Sequence, residues 1–351
     1  MRFLLDTEQR AFAASLDALL SAADTTAAVR AREAGDPAPT RALWRRLGES
    51  GVFALAVPEA YRGTGLLPVE LALSCVELGR HGVPGPLAES FAASALLGRL
   101  GGAAAARWLP PAADGTAVLT LTATRLSPYA ADGDLADVRL LLTDDQVRMS
   151  ERGSVPPGGT DRTSLRSLDP ARRLSRPDGG ELLAAGPGPA AAAEHALRIA
   201  ALATAALALG TGRRLLAGTV EYVNTRVQFG TPVGAFQAVK HRLADVLLHL
   251  EFAEPLLYGA AVALQSAAPS AGTDTAAAKA ACGEAGYAAA RAALQLHGAI
   301  GYTDEFDLSL WIRRARVLRS AWGSPSACRL AVLAGTHADP GGQEQRAPGS
   351  D

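Results

Sequence analysis

Apolar residues recur every three or four positions along most of this chain, and the exception is a stretch in its middle where they alternate. Asp6 followed three residues later by Gln9 makes a capping-box signature, and Phe12, Leu16, Leu19 and Leu20 continue it at helical spacing. A polar link containing proline comes next, then a second helical stripe, Leu43, Trp44 and Leu47, within residues 40–50. The apolar run 52–57 ends in Pro58, Gly63 and Gly65, which demand a loop. Further helices are expected from Pro68 to about Gly79 and from Phe91 to Leu100, separated by a Pro/Gly break over residues 81–86.

The period changes between about residues 115 and 189. Residues 117–122, 138–142 and 146–149 read as strands with turn residues crowded between them, and SVPPGGTDRT over residues 154–163 predicts a flexible loop. Helical spacing then returns at greater length over residues 190–229, 234–266, 273–297 and 304–321. In the second of these, Phe236, Val239, Leu243, Val246, Leu247 and Leu250 fall on one face. Four long helices with short connections predict an antiparallel four-helix bundle. The expected fold class is α+β: an N-terminal α-helical domain over residues 1–113, a reduced central β domain over 114–189, a C-terminal four-helix bundle over 190–336 and a disordered tail from 337 to 351.

Composition narrows the function without naming it. The chain has 351 residues, 48% of them hydrophobic and 20% charged, with a formal net charge of -1. That balance gives no basic field for nucleic acid and no acidic excess. The most apolar stretch, residues 190–209, is interrupted by Glu194, His195 and Arg198, so a buried helix is expected there in place of a membrane span. The opening MRFLLDTEQR lacks the pattern of a signal peptide, which makes a cytoplasmic location the expectation. Cys75, Cys282 and Cys328 are odd in number and far apart, so neither a disulfide framework nor a zinc site is expected.

Common catalytic signatures are missing: no GxSxG elbow, no HExxH, no P-loop and no GxGxxG after a strand. Two other elements stand out. One is YVNTRVQFG, residues 222–230, at a helix end; the other is QLHGAIG, residues 295–301, where glycines let a backbone approach a ligand. Arg226 offers a guanidinium for phosphate, Gln228 and Gln295 offer amides for a base or ribose, and Gly298 and Gly301 expose backbone N–H groups. This is half of a dinucleotide site, or a pair of solvated helix ends.

The residues in these elements resemble the acyl-CoA dehydrogenase family. LAVPEAYRGTG and the ELGR helix after it are similar to the family's VPE-x-x-GG-x-G loop and E-x-x-G-R helix. RVQFGTPVGAFQAVKHRLAD resembles R-x-x-F-G…FQ-x-x-x-H-x-LAD, QLHGAIGYTDEF resembles Q-x-x-GG-x-G-Y-x-x-E, and RRARVLRSAWGSPS resembles the R-D-A…E-G-T segment. The resemblance implies the same helical, β, four-helix order, FAD as cofactor, and removal of a proton from Cα and a hydride from Cβ of an acyl thioester carried on coenzyme A or an acyl carrier protein. It also implies that Arg226, Gln228, Phe229, Gln295, Gly298, Gly301 and Ser324 bind the cofactor.

The likeness breaks in two places. The position of the usual glutamate base holds Trp322, and the alternative position on the first bundle helix falls near Ala200, so no catalytic residue is identified. Nothing between Thr116 and Pro189 matches the T-E-P-x-x-G-S-D or W-x-T segments that hold the flavin ring in the family; residues 120–124 stand where the first belongs. The chain thus keeps what the family lends to a neighbouring subunit's FAD and lacks what it uses itself. The resemblance implies a dimer or tetramer containing a homologous subunit that supplies the glutamate. The alternatives are a self-sufficient flavoenzyme with a displaced base, among Asp304, Glu305 and Glu194, and a non-catalytic acyl-thioester-binding or scaffold protein.

Overall fold

Asp6 starts the first helix, α1 (Thr7–Ser21), with the reciprocal bonds its sequence predicts: its carboxylate accepts from Gln9 N at 2.8 Å and its own N–H donates to Gln9 Oε1 at 3.1 Å. The computed structural model describes residues 5–153, 165–177 and 179–337. The polar link after α1 is itself helical: α2 (Thr25–Ala34) is capped by Asp24, whose carboxylate accepts from Ala27 N at 2.8 Å, and it stops at Gly35 in the left-handed region. Such capping chemistry was present in the sequence but had no apolar stripe to advertise it.

The remaining N-terminal helices are α3 (Ala38–Glu49), α4 (Pro68–Arg80), α5 (Leu87–Leu100) and α6 (Gly102–Ala113), and α6 was not expected. Trp44 stacks on Phe53 at 4.5 Å and Phe53 meets Phe91 at 5.9 Å, which joins α3, the loop after it and α5 into one core.

The middle of the chain is richer in strands than its pattern predicts. Expected strands appear as β1 (Leu119–Ala123), β3 (Val138–Leu142) and β4 (Gln146–Glu151); short β2 (Ala130–Ala131), β5 (Leu165–Arg166) and β6 (Arg173–Ser175), and the longer β7 (Glu181–Ala185), are additional. One sheet runs in the order β1-β3-β4-β7, with β1 and β3 parallel and the other pairs antiparallel; a second runs β2-β6-β5. Strands of two or three residues, as in β2, β5 and β6, carry no period to detect, and the five residues of β7, ELLAA, do not alternate apolar with polar. The expected flexible loop over residues 154–163 lies outside the described residues.

Long helices fill the C-terminal part: α7 (Pro187–Thr225), a hairpin of β8 (Val227–Gln228) and β9 (Thr231–Pro232), then α8 (Gln237–Gln265), α9 (Ala271–His297), α10 (Leu308–Ser320) and α11 (Pro325–His337). The four expected helices are present, and α11 packs beside them on α9, which also touches α7, α8 and α10. The tail beyond His337 lies outside the described residues. Helix α7 is rich in Ala and Gly because it is approached at backbone distance: a Cβ added at Gly210 would stand 1.8 Å from Val76 O on α4, and one at Gly79 2.2 Å from Leu207 O.

Both α7 and α8 are long and apolar enough to cross a bilayer by length and composition. The apolar window of α7 is 72% buried inside the protein, so its apolar surface is used by the core. On α8 the single apolar face read from sequence is corrected. Val246 and Leu250 are buried, Val239 and Leu243 are half-buried, and Phe236 and Leu247 are exposed, because the helix carries a second apolar stripe pointing outward.

Candidate functional site

The two glycine-punctuated motifs end neighbouring helices and meet through their aromatic side chains. Tyr222, one turn before the end of α7, stacks on His297, the last residue of α9, with ring centroids 4.2 Å apart; Phe306 closes on His297 at 4.8 Å. His297 is buried and donates from Nδ1 to Ala293 O at 2.7 Å, while burial holds its pKa below the usual imidazole value. A neutral imidazole in that position is a packing element joining the two motifs.

Around this stack the expected binding groups are turned outward. Arg226 ends α7, its N–H donating to Tyr222 O at 2.9 Å, and its side chain is exposed. Gln228 follows on β8, and the hairpin turns at Phe229 and Gly230, which have φ of 56° and 79°. Two successive positive φ values fit a type I′ turn, and the Phe229 ring meets Phe236 edge-on with centroids 6.2 Å apart. Phe229 is 93% exposed. Among the described residues, no hydrogen bond or ion pair engages the Arg226 guanidinium or the Gln228 and Gln295 amides. Gly298, with φ of 63°, has nothing within 4 Å of an added Cβ, so its backbone is open to a ligand. Gly301 faces inward, where a Cβ would meet Leu294 and His297 at 3.2 and 3.3 Å, and its small size serves packing. Ser324 accepts from Ala327 N at 3.2 Å and thereby caps α11.

At the other end of α10 stands Trp322, buried and with a φ of 54°. Its Nε1 donates to Glu89 Oε1 on α5 at 3.0 Å, and the same oxygen accepts from Arg172 Nη2 at 2.8 Å. Lys279 on α9 secures this turn from behind: its amine donates to the carbonyls of Leu318, Arg319 and Gly323 at 3.1, 3.2 and 3.1 Å. Ala200 is buried in α7, one turn before Thr204, whose hydroxyl donates back to the Ala200 carbonyl.

The acids considered as displaced bases lie at the surface in other settings. Asp304 pairs with Arg313 at 3.0 Å, Glu194 pairs with Arg198 one turn along its own helix, and Glu305 is exposed. In β1 the hydroxyl of Thr120 is spent on Ala131 O at 2.7 Å, and both Thr120 and Thr122 are buried, which leaves no hydroxyl facing a ligand from that strand. Sequence reasoning missed Glu89, Arg172 and Lys279. The signal for Glu89 and Lys279 was a single charge inside a run of small apolar residues, LAESFAAS and AAAKAAC; Arg172 sits in a loop and had none.

Comparison with known proteins identifies the family. A model of the acyl-CoA dehydrogenase C-terminal domain matches residues 189–335, and one of the acyl-CoA dehydrogenase N-terminal domain matches residues 6–116. Acyl-CoA dehydrogenase IpdE2 of Mycobacterium tuberculosis is 38% identical over 295 residues, covering 82% of this chain and 85% of that protein. IpdE2 of Mycolicibacterium smegmatis is 31% identical over 285 residues, covering 81% and 84%. Among solved structures, the Tcur3481-Tcur3483 steroid ACAD superposes with a TM-score of 0.82 at 23% identity, covering 94% of this chain and 98% of that one. The ChsE4-ChsE5 complex from Mycobacterium tuberculosis gives 0.80 at 24% identity, covering 97% and 100%. At those identities the two structures share the fold.

Proposed function

This chain belongs to the acyl-CoA dehydrogenase family, oxidoreductases acting on CH–CH groups, and on that premise we propose that it is the non-catalytic half of a heteromeric, FAD-dependent enzyme that desaturates an acyl thioester between Cα and Cβ. The observation that carries the reading is the side chain at the position of the family's base. An indole is a donor only, and that of Trp322 is already committed to Glu89, so it has no lone pair with which to take the Cα proton. A homologous partner subunit supplies the carboxylate.

The residues present fit one half of the cofactor. Arg226, exposed and unpaired among the described residues, suits a pyrophosphate through bidentate hydrogen bonds; Gln228 and Gln295 suit the adenosine end, Phe229 offers an aromatic face, and the open backbone at Gly298 admits a close approach. The flavin half does not fit this chain, since Thr120 and Thr122 of β1 are buried. When bound, FAD supplies hydride acceptance from Cβ. This chain's share is to hold the adenosine side of an FAD whose ring lies in the partner. Coenzyme A and an acyl carrier protein present the same reacting atoms, and the reading holds for either carrier. Support for a two-subunit assembly comes also from the matched ChsE4-ChsE5 fold, solved as a complex.

The test is co-expression with a homologous subunit from the same operon. Arg226→Ala in that complex is expected to weaken FAD affinity at least tenfold, read as lost occupancy at FAD concentrations near the wild-type Kd, because a charge-assisted contact of about 1.5–3 kcal/mol is lost. FAD retained at the wild-type level sinks the proposal, as does bound flavin with acyl-CoA oxidation by this chain alone.

A further inference from the structure

Trp322 holds a left-handed backbone conformation, φ 54°, immediately before Gly323, which would adopt it freely. A residue with a Cβ is strained there, and such strain persists only where surrounding contacts compensate. The compensation is visible. The indole is 3% exposed, and it donates to a carboxylate, Glu89, that is itself 4% exposed. Glu89 is ion-paired with Arg172, from the segment between β5 and β6. Beside it Asp169 pairs with Arg314 of α10 at 2.9 Å, and Arg314 donates to Val83 O at 2.9 Å. The indole is thus anchored to α5 through Glu89, and Glu89 in turn to the segment before β6 through Arg172.

Small spaces remain around these pairs, walled by apolar side chains such as Leu87, Leu207 and Leu318 as well as by the charged ones. A cavity of about 40 Å³ is lined by Glu89, Asp132, Asp169, Arg172, Thr204 and Arg314, among other residues. That is room for roughly two or three waters and none for an acyl chain. Outside it, a groove of about 530 Å³ runs between residues 126–129 and the face of α10 at Arg316, Ser320 and Ala321. Arg172 and Val317 line both spaces and so form the wall between them.

We propose that Trp322, Glu89 and Arg172 are a lock that closes this chain's own acyl site: the indole occupies the space beside residue 322, and Arg172 seals it from the groove. The inference rests on the assignment of residue 322 to the base position made under Proposed function. It assigns Trp322 a positioning role, with Glu89 as its anchor. Glu89 has both donors on one oxygen, and its charge is tied to a guanidinium, which suits a strut.

Trp322→Gly tests the lock, because glycine relieves the backbone and removes only the indole. The full-length variant is expected to melt several degrees below wild type, and millimolar indole is expected to raise its midpoint while leaving wild type unchanged. Indole that stabilises both proteins, or neither, overturns the lock. A second arm needs no variant to fold: the wild-type chain alone, titrated with octanoyl-CoA in a calorimeter, is expected to give no saturable heat. Saturable binding of octanoyl-CoA by the wild-type chain overturns the proposal. Neither arm depends on FAD, so failure of the lock is distinguishable from failure of the shared-cofactor reading, which is decided by Arg226→Ala.

Discussion

His195 shows what burial does to a single group in this protein. It lies half-buried near the start of α7, and desolvation, followed by the positive charges of Arg99 and Arg198, lowers its pKa to about 4. The unfolded chain takes a proton near the ordinary imidazole value of 6.5, whereas the folded chain resists until about 4. The stability this group contributes is therefore fully present above pH 6.5 and lost as pH falls toward 4. His195→Gln is expected to flatten that part of the stability profile by roughly 2 kcal/mol, less than the full shift because solvent screens a half-buried ring, measured as urea midpoints at pH 7 and 4.5. Lys279 is the opposite kind of residue. Burial pulls its pKa down to about 8, yet its amine is held by three carbonyls at the end of α10, whose last turn has no later residue to satisfy it. Sequence revealed that a lysine stood in an Ala-rich helix; only the fold showed which carbonyls it met.

At the scale of elements, α8 is the most informative because it is apolar on two sides. Leu248, Phe252 and Leu256 follow one another at four-residue intervals along its outer face, and Phe252 is 72% exposed. Val227 and Phe229 on the β8–β9 hairpin are exposed as well. Exposed apolar residues recurring along one helix face are the kind of surface that a subunit interface covers. Phe252→Asp is expected to leave melting of the isolated chain within about 0.5 kcal/mol of wild type, as for other exposed substitutions. The same change is expected to dissociate the co-expressed complex by sedimentation; an undiminished complex removes α8 from the interface. The helical period announced α8 clearly, but assigned its apolar residues to one face. Periodicity registers that residues are apolar and cannot distinguish a stripe meant for the core from one meant for another chain.

Across the whole molecule, arginine–aspartate pairs join the N-terminal helices to the β region. Arg32 on α2 is 1% exposed and bonds Asp132 at 2.9 Å and Asp134; burial pushes the Asp132 carboxyl up to about 6 despite the guanidinium. Arg41 on α3 bonds Asp137 at 2.9 Å in a half-exposed setting. Arg32→Met leaves a buried carboxylate without its partner and is expected to cost about 3–5 kcal/mol, against about 1 kcal/mol or less for Arg41→Met, both read from urea unfolding.

The order of helical, β and helical parts, the long helices and the two outward-facing motifs were legible in the residues, because a helix repeats its signal every turn and because glycine, arginine and glutamine at a helix end state their chemistry locally. The sequence also places a tryptophan at residue 322, the position that the family resemblance implies for a base. Where that indole goes was decided by the tertiary structure. Glu89 and Trp322 are 233 positions apart, and no local pattern can pair residues whose contact depends on how α5 and the end of α10 are packed against each other.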